Sequence, residues 1–162
     1  MVNTAADLVR NDPLIGSNFW LEINGAKVSM LSEVSGLDME IEVVEVKQAA
    51  QNGQYVGYKA MGQKKMPGEL TVKRVTPLNI DQDEVWKWFN KIRDSGMGIT
   101  DRSGERKDGS VVVYDASNKE VARWNFFNAW PSKISNDSFS ATSAEASSET
   151  ITFVIERLER KK

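Results

Sequence analysis

The chain has 162 residues, 40% hydrophobic and 27% charged, so it is long enough to bury a core and we expect a single domain over 1–162. Its formal charge of −2 gives no electrostatic basis for binding nucleic acid or an anionic membrane, which need clustered basic residues. Because Cys and His are absent, disulfides, thiol nucleophiles, Ser–His catalysis and His- or Cys-ligated zinc are excluded. We expect no catalytic residue, no metal, no cofactor and no small-molecule substrate.

The first residues, "MVNTAADLVRNDPLIGS", lack the basic start and apolar core of a secretory signal. No apolar run approaches the about 20 residues of a membrane span. We therefore expect synthesis in the cytoplasm without a signal peptide. In "FWLEINGAKVSML", Phe19, Leu21 and Ile23 alternate with polar or amphipathic residues, and Asn24-Gly25 follows. This pattern predicts a hairpin with a type I′ turn.

"GLDMEIEVVEVKQ" predicts a long strand with Leu37, Met39, Ile41 and Val43 on the core face. The other face carries Asp38, Glu40 and Glu42. At Val43-Val44 the alternation slips by one residue, which predicts a β-bulge there.

Residues 48–68 carry four glycines, two tyrosines and several lysines with weak periodicity, which indicates an extended arm loop. "ELTVKRV" follows as a strand, with Leu70 and Val72 opposite Thr71 and Lys73.

One helix is predicted over 81–95. Asp81 and Glu84 make a capping-box-like start, and an apolar face recurs at helical spacing. That face consists of Val85, Trp88, Phe89 and Ile92. Trp86 lies off it and needs another partner.

"SVVVYDASNKEVARWNFFNAW" predicts two strands around a turn at Ser117-Asn118, and the chain closes with a Ser-rich loop and the strand in "ETITFVIERLERKK". With about seven strands and one helix, the class is mainly β. Around Trp124 and Trp130 aromatic residues fall on both faces of one strand, so the second face needs a cover. The cover is the helix, another subunit or a ligand.

The carboxylates Asp38, Glu40 and Glu42 could serve as a catalytic pair or a hard-metal site, but a solvated strand face explains them better. The Gly-rich stretch lacks the spacing and the following helix of a phosphate cradle. Two alternatives to an assembly protein remain open at this point. One is a monomeric β-sandwich module that binds carbohydrate or peptide, and the other is a carboxylate-based hydrolase.

Five segments in order resemble the tail tube family of contractile phages and contractile injection systems: "FWLEING", "SEVSGLDMEIEVVEVKQ", "GELTVKRV", "VARWNFFNAWPSKIS" and "SSETITFVIERLE". The resemblance spans roughly residues 17–159. It implies a β-sandwich or barrel with one flanking helix, shared with the tube proteins of type VI secretion. Six copies would form a ring through strands joined into a shared barrel, and the stacked rings would form a hollow tube.

The resemblance also implies partners: other copies of the chain, a sheath protein, baseplate or spike and tube-terminator proteins, and a protein or DNA cargo in the lumen. The particle would be a phage tail or a phage-tail-like injection particle. The lumen-facing candidates are Asp38, Glu40, Glu42, Thr71 and Lys73, with Trp20 or Glu22 as further candidates. The subunit- or ring-interface candidates are Tyr55, Tyr58, Met61, Phe127 and Trp130. Trp86 and Lys87 would face the sheath, and 1–17 would form an N-terminal contact segment.

Overall fold

The computed structural model describes residues 18–50, 52–65, 68–95 and 103–162, so the predicted contact segment 1–17 lies outside the described residues. Within these ranges the chain forms ten strands, one α-helix and a short 3-10 helix at Ser103–Glu105. The strands are β1 Phe19–Ile23, β2 Ala26–Leu31, β3 Glu33–Ser35, β4 Glu40–Ala49, β5 Tyr55–Lys65, β6 Glu69–Val75, β7 Lys107–Tyr114, β8 Glu120–Asn136, β9 Ser148–Val154 and β10 Arg157–Arg160. The helix, α1, is Glu84–Ser95. The predicted mainly-β class is confirmed.

Eight strands form one antiparallel sheet in the order β2-β1-β7-β8-β9-β6-β3, and β10 also pairs with β8. The 17-residue strand β8 joins the two halves of this sheet. Its first part pairs with β7 and β10, and its second part pairs with β9. Between the two parts Asn128 has a φ of +52°, a conformation that Asn tolerates better than most residues and that bends the strand.

Both halves of the sheet and α1 contribute to one apolar core. Phe126 of β8 stacks on Phe153 of β9 with ring centroids 6.1 Å apart, and Trp88 of α1 packs on Phe153 at 5.8 Å. Val85 and Trp88 are buried, and Ile92 packs against the core, as the predicted helix face requires. Other fully buried core side chains include Leu21, Leu70, Val72, Val111, Ala129, Ile151 and Leu158.

The start of the helix differs from the prediction. The helix begins at Glu84 rather than at residue 81, and Asp83 caps it by accepting a hydrogen bond from the backbone N–H of Trp86 at 2.9 Å. The backbone N–H of Asp81 instead donates to the side chain of Asn79, which holds Asp81 in a turn before the helix. The two predicted turns are confirmed by positive φ values of 51° at Asn24 and 59° at Asn118.

Candidate assembly surfaces

Strands β4 and β5 form a hairpin that stands apart from the main sheet. Among the described strands, each is hydrogen-bonded only to the other. The pairing runs from Glu40 opposite Lys65 to Ala49 opposite Tyr55, and the turn is closed by the backbone N–H of Ala50, which donates to Gln54 O at 2.7 Å. The segment predicted as a loop over 48–68 is therefore largely strand.

Glycines explain why the sequence pattern did not predict strand β5. Gly62 lies at a bulge of β5, where Gly62 and Gln63 stand opposite Glu42 alone, and an added Cβ would stand 2.9 Å from the backbone oxygen of Glu42. The predicted bulge at Val43-Val44 of the long strand was wrong, because the register shifts between Ile41 and Val43 and the extra residue lies on β5. Glycine thus fills a crowded position inside a strand, where sequence patterns normally read it as a loop signal.

Exposed apolar side chains cover the hairpin. Tyr55 is 80% exposed, Tyr58 56% and Met61 90%. The cross-strand register places Val44, Val46, Val56, Tyr58 and Ala60 on one face, called here the apolar hairpin face, and Tyr55 and Met61 on the other. An isolated two-stranded hairpin is marginally stable, and an exposed apolar surface of this kind marks a protein contact.

The expected burial of the long strand against the subunit's own core is not observed. Leu37 packs against the core, but Met39 is 53% and Ile41 60% exposed. The alternating pattern correctly predicted a strand, but this strand pairs only with β5 among the described strands and is not covered by the main sheet.

Residues 38–65 carry four carboxylates and four lysines, and lysines pair with two of the carboxylates. Asp38, Glu40 and Glu42 are all exposed, with Asp38 between β3 and β4 and the other two on β4. Lys65 binds Glu40 at 2.9 Å across the hairpin, and Lys59 lies 3.7 Å from Glu45. The hairpin is therefore charge-balanced rather than acidic.

Thr71 and Lys73 share the solvent-facing side of β6, opposite the buried Leu70 and Val72, as predicted from their alternation. The register aligns them with polar residues of the neighbouring strands in two rows. One row is Ser35, Thr71, Thr152 and Lys133, and the next is Glu33, Lys73, Thr150 and Ser135. Asp137 lies 3.2 Å from the ammonium of Lys73. This face is rich in hydroxyl groups, and its charged side chains are Glu33, Lys133 and the Lys73 that pairs with Asp137.

Trp20 and Glu22, the further lumen candidates, lie on the opposite half of the sheet. Glu22 is 7% exposed and accepts hydrogen bonds from Arg123 at 2.9 Å and Tyr114 at 3.2 Å. The hydrogen bonds that Arg123 makes, first with Glu120 and then with Glu22, raise the pKa of Arg123, although burial acts to lower it. Trp20 is half-buried and contacts Lys27. A buried, paired Glu22 contributes no free charge to a channel surface.

Arginines cover the aromatic side chains of β8. The guanidinium of Arg106 lies 4.6 Å from the ring of Trp130, and that of Arg157 lies 4.0 Å from the ring of Phe127. Phe126 is buried in the core, and both Phe127 and Trp130 are half-buried. The bend at Asn128 changes the alternation, so Ala129 and Pro131 are fully buried, while Trp130 is half-buried and packs against the core. The second aromatic face is thus partly covered within the chain itself.

The helix presents Lys87 to solvent, where it pairs with Glu84 at 3.1 Å, but Trp86 is half-buried. The indole N–H of Trp86 donates to Glu149 at 3.1 Å, and Glu149 is fully buried. Arg74, 2% exposed, donates to both Glu149 and Asp83. Sequence reading missed this network because its members are far apart in the chain; the only signal was an Arg at a core-facing position of β6.

Within the described residues no helix is long and apolar enough to cross a membrane. The same residues contain no cluster of three or more acidic side chains placed to hold a metal ion.

Comparison with known proteins gives one family and several solved structures. The family described as "T4-like virus tail tube protein gp19" matches residues 16–159. No curated protein sequence matches significantly. A chain of the sheath-tube complex of the extracellular contractile injection system PVC is 21% identical with a TM-score of 0.70, and the match covers 99% of each chain. A chain of the anti-feeding prophage tube-terminating cap is 20% identical with a TM-score of 0.71, covering 94% of this chain and 93% of that one.

Hcp1 from Flavobacterium johnsoniae is more distant, at 16% identity and a TM-score of 0.52, with 89% of this chain and 94% of that chain covered. At these identities the structural matches establish the fold.

Proposed function

The chain belongs to the T4-like virus tail tube protein gp19 family, and we propose that six copies close into a ring, that rings stack into a hollow inner tube, and that a contracting sheath drives this tube and its cargo into a target. The observation that carries the proposal is the β4–β5 hairpin. It has two unpaired strand edges and an uncovered apolar face. Joining these edges to neighbouring copies would remove them and close a barrel wall.

The hydroxyl-rich face around Thr71 and Lys73 supports a role as channel lining. A sheet face that bears hydroxyls and charged side chains is hydrated and offers no large apolar surface to which cargo would adhere. Glu40 and Glu42 on the hairpin would extend this lining, with Lys65 offsetting Glu40. The lumen is then nearly charge-balanced and suits cargo that must slide through it.

The other partners follow from the same assembly. The exposed Lys87 on α1 is the candidate contact for a sheath subunit, with Trp86 packed behind it. Baseplate, spike and terminator proteins would meet the ends of the tube. In this role the chain is structural and has no catalytic task, and it would be made without a signal peptide and assembled into a phage tail or a phage-tail-like particle.

Negative-stain electron microscopy of the purified protein, with light-scattering mass on the same sample, tests this proposal. Rings or hollow tubes at a mass near six times 18.1 kDa, or above it, are expected. A monomer that persists at every concentration contradicts the proposal and favours the ligand-binding module.

A matched pair of variants links assembly to the hairpin. Because Tyr58 is 56% exposed, Tyr58→Ser should leave folding intact and abolish rings and tubes. Lys119→Ser, at the exposed turn between β7 and β8, should assemble like the unmodified chain.

A further inference from the structure

All three methionines that the structure describes are exposed. Met30 is 52%, Met39 53% and Met61 90% exposed, although methionine is ordinarily among the most buried residue types. The chain contains no cysteine, so these thioethers are the sulfur atoms open to oxidants in the described part of the chain. An exposed methionine is readily converted to the sulfoxide, which makes these positions candidate modification sites.

Two of these methionines belong to one face of the β4–β5 hairpin. Met39 directly precedes β4, and Ile41 and Val43 follow at every second residue. Met61 of β5 is the register partner of Val43. Ile41 is 60% and Val43 62% exposed, so all four side chains are more than half exposed in the single chain. These four side chains are called here the methionine stripe.

In the proposed tube a neighbouring copy covers the methionine stripe. Glu40 and Glu42 alternate with the stripe along β4 and therefore lie on the opposite face of the hairpin. The proposed function turns the face with these two carboxylates to the channel. The stripe then faces the body of the neighbouring copy in the ring, and an exposed apolar face of this kind needs such a cover. Its sulfur atoms are thus open in the free subunit and enclosed in the tube.

Oxidation changes the polarity of this stripe. Hydrogen peroxide transfers one oxygen atom to Sδ of methionine: the O–O bond breaks, an S–O bond forms, the sulfur is oxidised by two electrons and the peroxide is reduced to water. A sulfoxide oxygen is a hydrogen-bond acceptor, and enclosing it without a donor is costly. In the free subunit the same oxygen is hydrated, because Met61 is 90% exposed. The sulfoxide should therefore act on assembly and leave the fold of the chain intact.

We propose that Met61 and Met39 are an oxidation site through which hydrogen peroxide blocks assembly of the free subunit. The inference rests on the proposed contact between neighbouring copies and adds a form of regulation to it. The block is reversible, since methionine sulfoxide reductases return the sulfur to the thioether. In that step a dithiol is oxidised to a disulfide and the sulfoxide oxygen leaves as water. Tubes that have already formed enclose the stripe and resist the oxidant.

Peroxide treatment of the full chain tests this site. The free subunit is treated with hydrogen peroxide, the peroxide is removed, and assembly is followed by light scattering and negative-stain electron microscopy. Peptide mass spectrometry locates the sulfoxides. We expect sulfoxide at Met61 and Met39, loss of most rings and tubes, an unchanged melting temperature, and recovery of tubes after treatment with methionine sulfoxide reductases and dithiothreitol. In tubes treated in the same way, Met61 should stay unmodified.

Matched variants assign the effect to the methionine stripe. The Met39→Leu, Met61→Leu double variant keeps the stripe apolar without sulfur, so it should assemble after peroxide treatment. Met30→Leu is the control, because Met30 is 52% exposed on β2, outside the hairpin, and this variant should remain sensitive. Met61→Gln places a polar side chain of similar length on the stripe and should lose assembly without any oxidant. Met30→Gln should assemble.

Other outcomes overturn the inference. A chain with sulfoxide at Met61 that assembles normally would remove the effect and leave the proposed function standing. A double variant that stays sensitive to peroxide would place the sensitive residue outside the stripe. Equal oxidation of Met61 in tubes and in free subunits would show that no neighbour covers it. An untreated chain that forms neither rings nor tubes would instead contradict the proposed function, and this regulation with it.

Discussion

The guanidinium of Arg74 on β6 donates to the carboxylate of Glu149 on β9 at 2.7 Å, and both side chains are buried. The same guanidinium forms a bidentate pair with Asp83, the cap of α1. Burial alone would lower the pKa of Arg74, but its hydrogen bonds and charge interactions, first with Asp83 and then with Glu149, raise it. One cation thereby fixes the start of the helix to strands β6 and β9.

Arg74→Met should lower the free energy of unfolding by about 3–5 kcal/mol, because it leaves two carboxylates in a buried site without their cation. Urea denaturation of the dissociated chain measures this. Arg93→Met is the control, since Arg93 pairs with Asp94 on the helix surface with both side chains more than half exposed, and it should cost less than about 1 kcal/mol. Equal effects of the two substitutions would show that the buried network does not stabilise the fold.

Gly36→Ala should displace the base of the hairpin. Gly36 has a φ of +88°, and the new Cβ would meet the backbone of Glu69. Gly25→Ala is the matched control, because its φ is +81° and an added Cβ has nothing within 4 Å. The control should lower the free energy of unfolding by about 1 kcal/mol because of backbone strain. Gly36→Ala should lower it clearly more and should also abolish assembly. Thermal unfolding and electron microscopy measure the two effects, and similar results for both variants would contradict the close approach.

Local patterns predicted the elements that pack within the chain. The alternation in β1 and β6, the Asn24-Gly25 turn and the apolar face of α1 each depend on neighbouring residues, and each is confirmed. The predicted burial of Met39 and Ile41 in the core of their own chain was wrong. Alternation shows that a strand has an apolar face, but it does not show which chain covers that face.

Pairings between residues that are far apart in the chain could not be predicted from the sequence. The cap at Asp83 could not be distinguished from Asp81 by spacing alone, and its choice depends on Arg74. The bend at Asn128 likewise results from β8 joining two halves of a sheet, so the aromatic faces could not be assigned by strict alternation. The lumen, interface and sheath residues remain predictions.

Trp130→Ala should weaken both folding and assembly. Trp130 is half-buried, packs against the core and lies under the guanidinium of Arg106. We expect a loss of about 2–3 kcal/mol, below the 3–5 kcal/mol typical of a fully buried tryptophan. Arg106→Ala removes the cation–π contact together with the exposed ion pair of Arg106 and Glu156, and should cost about 1 kcal/mol. Tubes of normal length from a Trp130→Ala chain of unchanged melting temperature would refute a role for this side chain.

Acidification should lower the stability of the fold, partly through protonation of Glu120. Hydrogen bonds from Nε and Nη2 of Arg123 lower the pKa of Glu120 below its ordinary value of 4.5. Burial opposes this shift, and the charges of Arg123 and Lys162 add to it. Because the folded-state pKa is the lower one, the ionised pair contributes its full stability above pH 4.5. That contribution is lost as the pH falls from 4.5 through the folded-state pKa.

Glu120→Gln removes this contribution at every pH. The gap in melting temperature between the unmodified chain and the variant should therefore be widest near neutral pH and should close on acidification below pH 4.5. Glu145→Gln, in the exposed Ser-rich loop, controls for the loss of a surface carboxylate. A gap that stays constant through the acid range would mean that the Arg123–Glu120 pair does not couple protonation to folding.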